Sequence, residues 1–130
     1  MRKLMTVDEA KEIFAMANDA YFGGVLKKPR FLTFRKRNAL AMYTYSWRTR
    51  GKGIYTIYVS AIYEIDVDEF VNIVVHEMVH LYVHQQYGPT FFVHGKRFKE
   101  MAKNLNQKYG LNVRLSIEVD KFSPICHEQP

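Results

Sequence analysis

Residues 66–89 read DVDEFVNIVVHEMVHLYVHQQYGP, and the fold is decided by how this stretch is read. Phe70, Val71, Val74, Val75, Met78 and Leu81 recur at helical spacing. Asp66 followed by Glu69 predicts a capping box at the start, and Gly88-Pro89 predicts the stop. The helix expected from about Val67 to Gln86 is apolar around much of its girth. It must therefore be central and buried, and the rest of the chain must supply its cover.

Upstream, Thr6 and Glu9 predict a second capping box. It opens a helix through about Tyr21, with Val7, Ala10, Ile13, Phe14 and Ala17 on one face. Gly23-Gly24 ends that helix, and Pro29 introduces extended chain. Phe31 to Arg37, Leu40 to Trp47 and Ile54 to Ser60 are rich in aromatic and β-branched residues and predict three strands. A basic, glycine-containing connection (residues 48–53) joins the last two as a hairpin, so the expected sheet is antiparallel. Downstream, a third helix is expected from about Gly95 to Tyr109, with Gly110 as its cap. Asn112 to Val119 alternates like a strand, and residues 120–130 read as a loose tail.

The expectation is a single α+β domain over residues 1–130. The length and the 48% hydrophobic content allow about two-thirds of the chain's surface to be buried and exclude disorder as the main state. Cys126 is the only cysteine, which excludes a disulfide scaffold and a four-cysteine zinc ribbon. No apolar run reaches the length of a membrane span. No apolar segment precedes Asp8 and Glu9 to make a secretory signal. A soluble intracellular protein is expected, cytoplasmic or, in a eukaryote, nuclear, without a membrane partner.

The central helix carries His76-Glu77-Met78-Val79-His80. Histidines at i and i+4 share one helical face, about 6 Å apart along the axis. Their rings can converge on one Zn2+ at Zn–N distances of about 2.0–2.1 Å. Glu77, beside the first ligand, can serve as general base for a metal-activated water. Shuffling the chain's own residues gives this pattern about once in a hundred sequences, and here it falls on a well-marked helix. A catalytic zinc needs a third protein ligand and an open position. His84 is about 12 Å along the axis from His76, too far on a straight helix to share its ion. Glu100 on the next helix and His94, just past the Gly88-Pro89 break, both remain candidates on spacing alone.

His76-Glu-Met-Val-His80, thirteen intervening residues, then His94-Gly-Lys-Arg-Phe98 resembles the SprT-like zinc metalloprotease domain family, which includes Spartan-like catalytic domains. Asn18 to Leu26 is similar to that family's opening segment. Ile57-Tyr-Val-Ser60 is similar to the strand before its metal-binding helix. The resemblance spans about Ala10 to Asn112. It implies a small zincin-like fold, one catalytic Zn2+ held by His76, His80 and His94, and Glu77 as the catalytic residue. It also implies protein substrates, with removal of DNA-bound or DNA-crosslinked protein as one setting. Phe98 is expected to pack beneath the third ligand.

Two further expectations concern partners. Between Lys27 and Lys52 lie nine basic residues and no acidic one, an asymmetry that suits a polyanion. Lys36, Arg37, Arg48, Arg50 and Lys52 are the candidate nucleic-acid contacts. Tyr45 and Trp47, beside Arg48 and Arg50, favour single-stranded DNA through base stacking. Substrate is expected to add as a strand along a sheet edge, with Ile57, Tyr58 and Val59 as that edge. Two other functions compete: a nucleic-acid-binding module with a structural zinc, and a regulator that binds a partner without cleaving it.

Overall fold

A computed structural model describes residues 2–47, 53–88 and 94–115. Strand β1 (Lys3–Leu4) leads into helix α1 (Val7–Tyr21). Strands β2 (Arg30–Phe34), β3 (Ala41–Trp47), β4 (Gly53–Ser60) and β5 (Glu64–Ile65) follow. Helices α2 (Val67–Tyr87) and α3 (Lys96–Tyr109) complete the described elements. The α+β class and the helix boundaries match the sequence expectation to within a residue or two.

Local chemistry accounts for the helix ends. The Thr6 hydroxyl accepts from the Glu9 N–H at 3.1 Å, the expected N-cap bond, and the Glu9 carboxylate returns to accept from the Thr6 hydroxyl at 2.9 Å. The box expected at Asp66 does not form. Asp66 is the N-cap but makes no side-chain cap bond, and the Glu69 carboxylate accepts instead from the Arg114 guanidinium at 2.8 Å. Gly88 (φ +80) and Gly110 (φ +69) end α2 and α3 in backbone that a side chain would strain.

The main sheet has the order β2-β4-β3. β3 and β4 pair antiparallel as the expected hairpin, but β2 runs parallel to β4. The sheet is therefore mixed, and the wholly antiparallel expectation is corrected. The chain leaves β2, crosses to the far side as β3 and returns between the two as β4. This also overturns the expectation that Ile57, Tyr58 and Val59 form a free edge. Ile57 is paired with both Phe31 and Tyr43, Tyr58 with Leu32 and Met42, and Val59 with Thr33 and Ala41. Their strand is interior, and among the described residues β3 and β2 are the edges. A small antiparallel ladder, β1 with β5, was not foreseen.

Helix α2 fills the core. Ile73, Val74, Val75, Met78, Val79 and Leu81 are fully buried. They pack with Ile57 and Val59 of β4, Ala10, Phe14 and Ala17 of α1, and Phe98, Ala102 and Leu105 of α3. A buried Leu- or Ile-to-Ala change in such a core costs about 2–5 kcal/mol. Irregular segments are held by amide side chains. Asn18 accepts from the Leu26 N–H and donates to its carbonyl. Gln85 accepts from the Lys27 N–H and donates to the Val25 carbonyl. Each amide supplies the donor and acceptor that a neighbouring strand would otherwise provide. Among the described residues no helix is long and apolar enough to cross a membrane.

Candidate metal centre

The helical period places His76 and His80 side by side on α2, with ring centroids 5.0 Å apart. His94, one residue before the Gly95 N-cap of α3, returns over them at 5.2 Å from His76 and 4.8 Å from His80. One nitrogen from each ring lies within 4.8 Å of the other two. The Nε2 atoms of His76 and His94 are 3.3 Å apart. That matches the edge of a tetrahedron with metal–nitrogen bonds of about 2.05 Å, which is about 3.3 Å. Three imidazole nitrogens in this arrangement fit a borderline-soft divalent ion such as zinc. Phe98, fully buried, packs against all three rings with centroids 4.5–5.0 Å away. It forms the expected floor beneath His94, and beneath His76 and His80 as well.

Electrostatics keep the nitrogens available. Burial pushes the His76 and His80 imidazoles down to about 4 and about 3, and lowers His94 in the same direction. The rings are thus neutral at pH 7, with lone pairs to offer a cation. The tautomer of His76 is fixed by its partner. Its Nδ1 lies 2.6 Å from the Arg114 carbonyl, which can only accept. The proton therefore sits on Nδ1, and the lone pair of Nε2 faces His94. Glu77 is buried, with Oε2 3.9 Å from His76 Nε2. Burial pushes its carboxyl up to about 8, so in the metal-free protein this contact is between neutral groups rather than an ion pair.

The other third-ligand candidates lie apart from this cluster. Glu100 is exposed on α3. His84 is half-buried, with Nδ1 2.9 Å from the Tyr43 hydroxyl and its ring against Tyr45 and Tyr55. It belongs to an aromatic wall adjoining the centre, as its distance along the helix required. Tyr43 joins wall to centre, its ring stacked over His80 at 6.0 Å and 12°. The Arg114 carbonyl was not found from sequence, because it has no side-chain signature; Tyr43 was conceivable at the site alongside Tyr45, Tyr82 and Tyr87, and nothing in the sequence assigns one of them. Of the candidate nucleic-acid contacts, Lys36 and Arg37 are exposed between β2 and β3. Arg48, Arg50 and Lys52 lie outside the described residues, as do the Trp47 side chain and the tail.

An α+β scaffold with three convergent histidines positioned to hold a metal ion, two of them one helical turn apart and flanking a buried glutamate, has a metalloprotease-like design. The chain belongs to the SprT-like family, whose family model matches residues 10–120. No curated protein gives a significant match.

Proposed function

We propose that this chain is a zinc-dependent peptidase of the zincin type, with His76, His80 and His94 as zinc ligands and Glu77 as general base. The observation that carries this reading is the convergence of three imidazole nitrogens within 4.8 Å beside the buried carboxyl group of Glu77. Among the described residues the centre offers three histidine ligands, leaving a fourth position for water or substrate, as a catalytic site requires and a closed structural site does not.

Bound zinc would polarise the scissile carbonyl and acidify the attacking water. Glu77 takes the proton from that water as its oxygen bonds to the carbonyl carbon. When the C–N bond breaks, Glu77 delivers the proton to the departing nitrogen, so the atoms of one water are divided between the two products. The cost of charging Glu77 in its buried site would be offset by a dication held by the three histidines, which would favour the carboxylate. His76 is held in the tautomer that presents Nε2. Substrate is proposed to add to β3, an edge strand among the described residues, next to the aromatic wall, in place of the interior strand β4. The exposed basic residues Lys27, Lys28, Arg30, Lys36 and Arg37 support single-stranded DNA as a partner and DNA-bound protein as a substrate class.

The test is cleavage of a DNA-binding protein by the zinc-loaded chain, with and without single-stranded DNA. Glu77→Gln should lower cleavage about 10²–10⁴-fold while retaining zinc, and chelation should abolish it. Full function in Glu77→Gln would favour a structural zinc instead. A substrate that copurifies intact with zinc-loaded wild type would favour a non-cleaving regulator.

A further inference from the structure

We propose that residues 111–115 form a strap that orients the metal ligand His76, with Arg114 and Asn106 as its positioning residues. The inference rests on the metal-site reading above and concerns groups remote from the reacting atoms. The strap follows α3, and the alternation in its sequence suggests a strand, yet no strand pairs with it among the described residues. Side chains from two helices take the place of that partner.

Glu69, Asn72 and His76 lie at i, i+3 and i+7, one stripe of α2; Asn72 holds the strap at residue 112, and Glu69 and His76 both hold it at residue 114. The Asn72 side-chain oxygen accepts from the Asn112 N–H at 3.0 Å. The Glu69 carboxylate accepts from the Arg114 guanidinium at 2.8 Å. The His76 Nδ1–H donates to the Arg114 carbonyl at 2.6 Å. From the other side, Asn106 of α3 accepts from the Val113 N–H at 2.7 Å and donates to the Val113 carbonyl at 3.0 Å. Val113 is buried between the two helices.

Residue 114 is thus anchored through its side chain, and its neighbour through its backbone, so that its carbonyl meets one ring nitrogen. That contact sets both the tautomer and the rotation of the imidazole before any metal arrives. Losing such a partner typically weakens metal binding about 10–100-fold. The carbonyl itself survives side-chain substitution, so the strap is tested through its clamps.

Zinc affinity is measured by competition with a chromogenic chelator, beside the melting temperature of the metal-free protein. Arg114→Ala and Asn106→Ala are expected to weaken zinc binding about tenfold or more. Arg114→Lys, which keeps a cation opposite Glu69, should recover most of the loss. Phe14→Leu, a core change on α1 that also lowers the metal-free melting temperature, should leave zinc affinity within about twofold, since it touches no ligand. In nitrogen-15 spectra of the metal-free protein, His76 should be the Nδ1–H tautomer in wild type and a mixture in Arg114→Ala. If Asn106→Ala fails to fold, Arg114→Ala carries the test, because its side chain is 31% exposed. Clamp variants that melt earlier but bind zinc like wild type would overturn the strap alone. A wild type that binds no zinc would overturn both the strap and the peptidase reading.

Discussion

Glu77 is the residue whose charge the fold opposes most, and the opposition has a measurable sign. Its carboxyl titrates at 4.5 in a solvated reference and is pushed up to about 8 by burial. The folded, metal-free protein therefore holds this proton more tightly than the unfolded chain does. The resulting stability is full below pH 4.5 and is lost as pH rises to 8. His76 and His80 run the other way, from 6.5 down to about 4 and about 3. Their contribution is present above pH 6.5 and is lost as pH falls through those values. Between pH 6.5 and 8 only Glu77 of these three changes its proton count, at about 1.4 kcal/mol per pH unit. In chelator, the melting temperature should fall across that window, and Glu77→Gln should flatten the fall while leaving the acid limb in place. Parallel curves for the two proteins would show that Glu77 is not the titrating group. The pair of histidines and the glutamate between them were legible in the sequence because helix period and capping place them without any tertiary information. The carbonyl that orients His76 was not, because any residue can supply a carbonyl and only the path of the strap selects Arg114.

At the scale of elements, the sheet shows where local pattern stops informing. Phe31 to Phe34 has the composition of a strand, but nothing in it specifies whether its partner runs parallel or which strand that partner is. The hairpin between β3 and β4 was readable from its glycines. The placement of β4 between β2 and β3 rests on long-range pairing along both of its sides, and among the described residues that moved the edge from Tyr58 to β3. The Ser60 N–H donates to the Leu40 carbonyl at 2.9 Å, and the register runs on through Met42 opposite Tyr58. In an antiparallel ladder bonded pairs alternate, so Met42 and Thr44 bond to β4, while the backbone groups of Tyr43 point to the outer side. If substrate pairs there, Tyr43→Pro should cut peptide cleavage at least about tenfold below Tyr43→Ala. Both variants lose the ring over His80, and only the proline also loses the outward N–H. Equal activities would remove β3 as the substrate edge. Tyr58→Pro, by contrast, breaks the interior ladder and should unfold the sheet.

Across the whole molecule, a net charge of +6 is distributed unevenly, and the metal centre lies on a body whose β2–β3 side is basic. Lys36 and Arg37 are exposed, and the Arg37 main chain is held where it is, its carbonyl accepting from the Tyr63 hydroxyl at 2.6 Å. The turn is thus fixed by a core tyrosine while its side chains face water, a geometry that presents charge without requiring the backbone to order on binding. If phosphates bind there, each neutralised charge releases counterions, and the logarithm of affinity falls with the logarithm of salt by about 0.7 per contact on a single strand. Lys36→Ala with Arg37→Ala should therefore lower that slope by about 1.4 when both residues touch phosphate. Fluorescence anisotropy with a labelled oligonucleotide between low and moderate salt gives the slope directly. Peptide cleavage of a substrate that does not bind DNA should be unchanged in the double variant, because neither residue belongs to the metal centre. An unchanged slope would move the polyanion contact away from this turn. A reduced slope, with cleavage of DNA-bound substrate reduced in step, would tie the basic side to the delivery of substrate and leave the chemistry to α2.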